Sequence, residues 1–175
     1  TLTANSMSIN AGTLSGTGSV SISNSLVLNS GNVIADGTLT ANSMSINAGT
    51  LSGTGSLTFK TPLTITKGTI SPGNVSTPIS TLNIVGDVFL HEDAYLEMST
   101  RNDSSDYLKI LGNLTIQGSL YLQPIKASER YSGNTSQILV QASNLSGTIN
   151  NFYIDNDNIF GRLVHKIEYK DNSIL

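Results

Sequence analysis

The chain contains no cysteine and no tryptophan, and only four of its 175 residues are proline. Without cysteine it can form no disulfide scaffold, no thiolate zinc site and no cysteine-based catalytic centre. No apolar run approaches the roughly 20 residues that a membrane-spanning helix needs. Basic residues number 9 against 12 acidic ones, a formal net charge of −3 that excludes the basic field of nucleic-acid-binding proteins.

Small polar residues dominate what is present. Serine, threonine, asparagine and glycine make up 78 of the 175 residues, a composition that by itself indicates disorder. Against this, leucine, isoleucine, valine and phenylalanine number 49, well above the roughly 20% below which chains fail to build a core. We therefore expect a folded, β-rich protein.

An internal repeat organises the first third of the chain. The segment TLTANSMSINAGTLSGTGS at 1–19 recurs without change at 38–56, an offset of 37 residues. The stretch between the copies has the same pattern, so the true period is 18 or 19 residues. Four apolar pairs follow this period: Met7/Ile9, Leu26/Leu28, Met44/Ile46 and Leu63/Ile65.

Each repeat holds three short stretches in which apolar residues alternate with polar ones, separated by turns rich in glycine, asparagine and serine. This period of two is typical of strands, and the helical period is absent. A coil of three strands that advances by one strand spacing per repeat lets each repeat bury its apolar residues against those of its neighbours. The sequence therefore predicts an all-β fold, a right-handed single-stranded parallel β-helix with three faces and about 18–19 residues per rung.

Three asparagines occupy the same turn position in consecutive repeats: Asn10, Asn29 and Asn47. Stacked side-chain amides can hydrogen-bond from rung to rung, so we interpret these residues as a structural ladder. The other interpretation is an asparagine-lined ligand site. We favour the ladder, because a repeat of this kind needs such turns for its stability. If each amide makes a buried hydrogen bond, replacing it with alanine costs about 1 kcal/mol.

Charge and aromatic residues divide the chain into two parts. Asp36 is the only charged residue before Lys60, and all six tyrosines follow that position. We expect regular β-helix rungs over 1–65 and further rungs with an irregular C-terminal cap over 66–175, because an open solenoid end needs covering.

Strand-like segments of the second part follow a recognisable order. A Pro-Gly turn is followed by a Gly-Asp strand, an Asp-x-Leu strand with a later glycine, a Gly-Ser-Leu strand, an Ile-Leu strand and a closing Tyr-x-x-Asn stretch. This order resembles the C-terminal passenger region of type Va autotransporters, the self-exporting proteins of Gram-negative bacteria. The matching positions are Pro72, Gly73, Gly86, Asp87, Asp106, Leu108, Gly112, Gly118, Leu120, Ile138, Leu139, Tyr169, Asn172 and Leu175.

The resemblance covers about residues 66–175 and implies a right-handed β-helix that ends in an autochaperone-like region. In that family this region folds first, while a separate C-terminal barrel anchors the chain in the outer membrane. The barrel is not in this sequence, so we expect the C-terminal part of a passenger, displayed at the cell surface or secreted. Membrane attachment would then depend on that barrel alone.

Residues that could carry chemistry are few. His91 and His165 lie far apart and in no spaced metal motif, and no G-x-S-x-G elbow is present. The run 155–158, Asp-Asn-Asp-Asn, is compatible with calcium, but it lacks the glycine and glutamate of an EF-hand loop. We expect no enzymatic activity, metal or cofactor in these residues.

Other polar and aromatic groups have both a functional and a structural interpretation. Glu92, Asp93 and Glu97 could act in acid–base chemistry or form a charged cap surface. Lys166 and Lys170 are too sparse for a heparin-binding stripe. The six tyrosines form either a receptor-facing patch or the packing of the cap. They are Tyr95, Tyr107, Tyr121, Tyr131, Tyr153 and Tyr169.

The sequence thus predicts a non-enzymatic passenger fragment that acts in surface display and folding and in adhesion or host interaction. Its expected partners are a host cell-surface receptor, matrix or glycan, or another copy of itself. The alternative is a released soluble effector that binds one specific host receptor. An adhesin stays cell-associated and promotes attachment, whereas an effector acts on host cells as purified protein.

Overall fold

The computed structural model describes residues 1–101, 104–125, 136–155 and 167–175. Within these ranges the protein is all-β, which confirms the predicted class. None of the described residues forms a helix that could cross a membrane. The strands are β1 (Leu2–Ala4), β2 (Met7–Ile9), β3 (Thr13–Gly16), β4 (Ser19–Leu28), β5 (Asn32–Ala35), β6 (Thr38–Ile46), β7 (Thr50–Gly53), β8 (Ser56–Phe59), β9 (Leu63–Ile65), β10 (Thr69–Pro72), β11 (Thr81–Val85), β12 (Val88–Leu90), β13 (Tyr95–Thr100), β14 (Tyr107–Ile116), β15 (Ser119–Pro124), β16 (Val140–Gly147), β17 (Asn151–Ile154), β18 (Tyr169–Lys170) and β19 (Ser173–Ile174).

These strands form three stacks of parallel neighbours. The first stack contains β1, β8, β11 and the first halves of β4, β6, β14 and β16. The second contains β2, β9, β12 and the second halves of the same four long strands. The third contains β3, β5, β7, β10, β13, β15 and β17. The chain visits the stacks in turn and then begins the next rung, a path consistent with a β-helix-like solenoid.

The strand register brings each apolar residue beside its counterpart in the next rung. In the first stack, Val20 pairs with Leu39, Leu39 with Leu57, and Leu57 with Ile84. Inward residues of all three stacks therefore form one continuous core, and many of them are completely buried. Burying one such leucine or isoleucine contributes on the order of 1.5–3 kcal/mol, which explains how a chain so rich in serine and asparagine folds. The largest buried side chains include Leu26, Leu28, Met44, Ile46, Leu51, Leu57, Leu63, Ile65, Ile70, Leu82, Ile84 and Leu90.

The C-terminal end of the first stack is covered by a hairpin. Strands β18 and β19 pair with each other, and β19 lies antiparallel against β16, so this sheet is mixed. The two turn residues, Asp171 and Asn172, have φ of 49° and 61°, as a type I′ turn requires. Ile174 is fully buried, and the first two residues of β16, Val140 and Gln141, are paired rather than open. The predicted boundary at residue 65 does not interrupt the stacks, which continue through it.

The two ends of the strand stacks should differ in stability. Among the described strands, β1 to β3 each pair on one side only, and Leu2, Met7 and Leu14 are partly exposed, whereas the other end carries the hairpin. Limited proteolysis should therefore degrade the N-terminal rungs before residues 60–175. An unspecific protease is required, because there is no lysine or arginine before Lys60. Mass spectrometry of the surviving fragment checks this, and a resistant N-terminal half with residues 60–175 digested would show the opposite order of stability.

Candidate functional site

Where successive described strands are far apart in sequence, their connection lies at one corner, between the third stack and the first, which we call the insertion corner. In the N-terminal rungs its turns have two residues each, at 17–18, 36–37 and 54–55. Further along, the connections at the same corner span residues 73–80, 101–106, 125–139 and 155–168. At the other two corners no connection exceeds four residues. Insertions on one side of a solenoid commonly mark its binding surface, so the insertion corner is the candidate site.

A polar column leads from the short turns into the first long loop. The Oδ1 atom of Asp36 accepts hydrogen bonds from the backbone N–H and the hydroxyl of Thr54, at 3.1 and 3.3 Å. The same oxygen accepts a bond of 2.9 Å from Nδ2 of Asn74. The only charged side chain of the first 59 residues therefore attaches loop 73–80 to the turn at 36–37, two rungs earlier.

Loop 73–80 is a well-bonded turn. Oδ1 of Asn74 accepts hydrogen bonds from the backbone N–H groups of Ser76 and Thr77, at 2.8 and 2.9 Å. The backbones of Asn74 and Thr77 also bond each other in both directions. The arrangement leaves Val75 completely exposed, with 101% relative accessibility. An apolar side chain is thus presented to solvent on a constrained turn.

Asp106 joins loop 73–80 to loop 101–106. Its side chain is fully buried, and its two carboxylate oxygens accept hydrogen bonds from the backbone N–H groups of Ser80, at 2.8 Å, and Ser99, at 2.7 Å. The backbone N–H of Asp106 in turn donates to the carbonyl of Ser99 at 2.8 Å. One carboxylate thus holds the end of one loop and the beginning of the next.

The environment of Asp106 changes its acidity. Burial raises the pKa of this carboxyl from 3.8 to about 6, because the charged form loses its hydration. The hydrogen bonds from Ser99 and Ser80 oppose that effect, and the negative charge of Glu97 adds to it. Burial also raises the pKa of Glu97, although a hydrogen bond with Ser71 lowers it in part.

The C-terminal end of the connection 125–139 is hydrogen-bonded to the beginning of the connection 101–106. Nε2 of Gln137 donates a hydrogen bond of 3.0 Å to the carbonyl of Arg101. The next residue, Ile138, is 45% exposed, whereas Leu139 is buried in the core. The insertion corner therefore presents a second apolar side chain, Ile138, in addition to Val75.

The predicted ladder residues lie at another corner, between the second stack and the third. Nδ2 of Asn29 donates to Oδ1 of Asn10 at 2.8 Å, and Nδ2 of Asn47 donates to Oδ1 of Asn29 at 2.7 Å. The three amides lie at the protein surface rather than in the core, so water competes for their hydrogen bonds. In the next rung, Thr66 takes the equivalent position, where its backbone N–H donates to the carbonyl of Ile46.

A second polar column, which the sequence analysis missed, lies at the corner between the first stack and the second. Nδ2 of Asn24 donates to Oδ1 of Asn5 at 2.9 Å. Further along, Oδ1 of Asp87 accepts the backbone N–H of Asn113 at 2.7 Å, and Nδ2 of Asn144 donates to Oδ1 of Asn113 at 2.8 Å. A pattern in the sequence could have predicted this column, because each of these polar residues lies between two apolar strand segments.

Glycines at the positions that carry the resemblance allow close backbone approach at the corners. A Cβ on Gly112 would lie 2.2 Å from the carbonyl oxygen of Gly86, and one on Gly118 would lie 2.5 Å from that of Ala94. Gly73 begins loop 73–80, directly after the buried Pro72, with φ of +92°. These positions need glycine because a Cβ would clash with neighbouring backbone atoms. This requirement is structural and does not point to a ligand.

The tyrosines are not gathered into one patch within the described residues. Tyr121 pairs with Tyr153 in the third stack, whereas Tyr107 lies in the first stack beside Gln141. Tyr169 lies in the C-terminal hairpin, where its hydroxyl oxygen accepts a hydrogen bond of 2.7 Å from the backbone N–H of Ile149. Tyr95 is exposed on β13, and Tyr131 lies outside the described residues.

The other candidate groups are dispersed. The ring of His91 contacts Phe89 edge-to-face, with centroids 4.3 Å apart, and Asp93 forms an exposed ion pair of 3.5 Å with Lys67. In the parts of the chain that the structure covers, no three potential metal ligands converge. His165, Lys166 and three residues of the run 155–158 lie outside those parts, and of that run only Asp155 is described.

Removing the ladder should destabilise the protein modestly. Because the amides are at the surface, we expect each replacement of Asn10, Asn29 and Asn47 by alanine to cost about 0.5 kcal/mol, at the low end for a hydrogen bond. The free energy of unfolding of the triple variant, from denaturant titration, should fall by about 1 kcal/mol, because the three residues share two amide–amide hydrogen bonds and their single losses do not add. Alanine at the exposed Ser15, Ser21 and Ser23 provides a matched triple control. Unchanged stability in the asparagine triple variant would remove any structural role for the ladder.

Stability should also depend on the protonation of Asp106. Its pKa is higher in the folded protein, about 6, than in the unfolded chain, 3.8, so the folded state favours the protonated form. The stabilisation that protonated Asp106 gives to the folded state is complete below about pH 4 and is lost as the pH rises through about 6. The free energy of unfolding should therefore fall over this range, by no more than about 3 kcal/mol from this group.

The variant Asp106→Asn isolates this contribution from that of Glu97. It should reduce the slope of unfolding free energy against pH between 4 and 6.5, whatever its effect on absolute stability. Asp93→Asn, at an exposed carboxylate, should retain the slope. An unchanged slope in Asp106→Asn would mean that the buried carboxyl does not titrate in this range.

Comparison with known proteins provides no relative on which to base a function. The chain matches no family model, no curated protein and no solved structure. The basis for a functional assignment is therefore the geometry of the insertion corner.

Proposed function

We propose that this chain is a right-handed, single-stranded parallel β-helix, without catalytic activity of its own, that presents the insertion corner to a binding partner. The observation that carries the proposal is the distribution of connection lengths. Successive described strands are separated by six to fifteen residues at this corner alone, although nothing in the stacking of strands favours that corner. A purely structural solenoid has no need of such loops, since its N-terminal rungs turn the same corner with two residues.

The bonding of the loops supports a binding role. Asn74 attaches its loop to the turn at 36–37, and Asp106 and Gln137 connect successive loops, which limits the conformations of the described parts. Ordering a loop before binding reduces the entropy that association must overcome. Val75 and Ile138 then present apolar surface that costs little to immobilise, which favours a protein over a charged polysaccharide as the partner.

We further propose that the chain belongs to a passenger of a Gram-negative autotransporter, displayed at the cell surface or released, and that the partner is a host receptor or matrix protein. The ordered motif series from Pro72 to Leu175 supports this placement, and Gly86, Gly112 and Gly118 lie at corners where backbones of successive rungs approach closely. The hairpin that covers β16 fits the C-terminal end of such a passenger, where folding would begin.

Binding to cultured host cells tests the proposal. Fluorescently labelled 175-residue protein should bind saturably, and the double variant Val75→Asp/Ile138→Asp should weaken binding by about tenfold or more, because charges replace two exposed apolar contacts. The matched control is Val85→Asp/Leu111→Asp, which changes two exposed apolar residues that pair in the first stack, away from the insertion corner.

The control variant should bind like the unchanged protein. Circular dichroism and thermal melting of both variants establish that they fold. Equal loss in the two double variants, or loss in the control alone, would contradict a binding role for the insertion corner. Absence of saturable binding by the unchanged protein would assign these residues to folding and display.

A further inference from the structure

The outward face of the third stack changes its chemistry along the stack. On β3, β5 and β7 the outward positions hold threonine, serine, asparagine and one isoleucine. Further along, tyrosines occupy outward positions: Tyr95 on β13, Tyr121 on β15 and Tyr153 on β17. Their side chains point outward because alternate residues of the same strands, such as Leu96 and Leu122, are buried. Three of the six tyrosines therefore share one face.

The strand register places these tyrosines beside one carboxylate. Tyr121 pairs with Tyr153 on one side and with Glu97 on the other. Tyr95 precedes Glu97 by two residues on β13, so it is a diagonal neighbour of Tyr121. Glu97, Tyr121 and Tyr153 thus form a column whose members are about 4.8 Å apart, one strand spacing. We call the surface of these four side chains the tyrosine face.

The tyrosine face is accessible and rests on paired strands. Tyr95 is 42% exposed and Tyr153 is 45% exposed, and Tyr121 is half-buried between its neighbours. The central strand, β15, pairs with both β13 and β17, and its inward residue Leu120 is completely buried. A tyrosine has only two side-chain torsions, so rings held on such strands lose little entropy when a ligand binds.

Polar side chains lie around the rings. Glu97 is hydrogen-bonded to the side chain of Ser71 on the neighbouring strand. Nδ2 of the exposed Asn151 donates to Oγ of Ser119 at 3.3 Å. Gln123 occupies the next outward position after Tyr121 on β15. The amides of Asn151 and Gln123 can both donate and accept hydrogen bonds, and the carboxylate of Glu97 accepts them.

The charge of the face limits what it can bind. Glu97 is the only charged residue of β10, β13, β15 and β17. These strands therefore offer no cation to a phosphate, sulfate or carboxylate group, and Glu97 repels such groups. Their aliphatic side chains point inward, so the apolar part of the face consists of aromatic rings alone.

A sugar ring matches this combination of groups. A pyranose has a flat face of C–H groups, which stacks on an aromatic ring, and a rim of hydroxyls, which need hydrogen-bond partners. A carboxylate accepts hydrogen bonds from hydroxyls strongly. The column also repeats its rings at one strand spacing, about the length of one pyranose residue in an extended chain.

We propose that the tyrosine face binds a neutral glycan chain, with successive pyranose rings stacked on Tyr121 and Tyr153 and with sugar hydroxyls donating to Glu97. The glycan runs along the stacking direction, and Tyr95 contacts it from the side. This site is independent of the protein partner proposed for the insertion corner, because it shares neither Val75 nor Ile138.

A printed glycan array tests the proposal. The labelled 175-residue protein should bind neutral hexopyranose oligosaccharides and should leave sulfated, sialylated and uronic acid glycans unbound. The neutral oligosaccharide that binds best on the array is then labelled, and its fluorescence anisotropy should rise saturably on titration with the protein.

Variants assign that binding to the tyrosine face. Tyr121→Ala should weaken the affinity by at least about tenfold, because one stacking ring is lost. The matched control is Tyr107→Ala, which removes a half-buried outward tyrosine of the first stack and should leave the affinity unchanged. Glu97→Gln retains an acceptor oxygen without the charge, so it should reduce the discrimination between neutral and acidic glycans on the array. The double variant Val75→Asp/Ile138→Asp should bind the oligosaccharide like the unchanged protein.

Three results would overturn the proposal: no binding of neutral glycans, equal binding of neutral and acidic glycans, or equal loss of affinity in Tyr121→Ala and Tyr107→Ala. Circular dichroism of each variant establishes that it folds. Reduced host-cell binding by Tyr121→Ala, without glycan binding by the unchanged protein, would assign the face to a protein partner and would equally contradict a glycan site.

Discussion

The structure depends on parallel pairing of each strand with its counterpart one rung away. This pairing provides hydrogen-bond partners for the backbone N–H and C=O groups, and it also places apolar residues of successive rungs in contact. A rung alone buries little, because its apolar residues need neighbours on both sides. The contrast between Leu14, which is half-buried, and Leu51, which is fully buried in an identical sequence, measures that dependence directly. Polar residues are tolerated everywhere else, which explains the unusual composition.

Periodicity predicted the part of the fold that follows from this pairing. The spacing of Met7, Leu26, Met44 and Leu63 predicted parallel stacking of successive repeats, and the register confirms that these residues are neighbours or near-neighbours in the second stack. The strand directions and the all-β class follow from the same pattern. Beyond residue 70 the period fails, because insertions separate the strands. Stacked pairs such as Ile84 and Ile110 are then 26 residues apart, and no fixed interval finds them.

The candidate site could be predicted only in part. Asp106 was identified through the resemblance, but its burial and its bonds to Ser80 and Ser99 arise from residues distant in sequence that the fold brings together. The apolar side chains Val75 and Ile138 had no distinguishing pattern, since exposure of a single valine or isoleucine cannot be read from its neighbours. Asn10, Asn29 and Asn47 were found because they repeat, whereas Asn113 and Asn144 lie in rungs of unequal length. Residues that recur at a fixed period can be recognised in the sequence, whereas contacts that form across connections of unequal length cannot.

The identical duplication at 1–19 and 38–56 has a mechanical consequence for the loops. Each rung adds one strand spacing, about 4.8 Å, to the length of the strand stacks. Gain or loss of the 37-residue unit, which comprises two rungs, would therefore move the long connections by about 10 Å along the stacking direction, with little effect on their chemistry. Under the binding role proposed for the insertion corner, the repeat is an adjustable spacer whose length changes in whole steps, so that the reach of the long connections and their specificity vary independently.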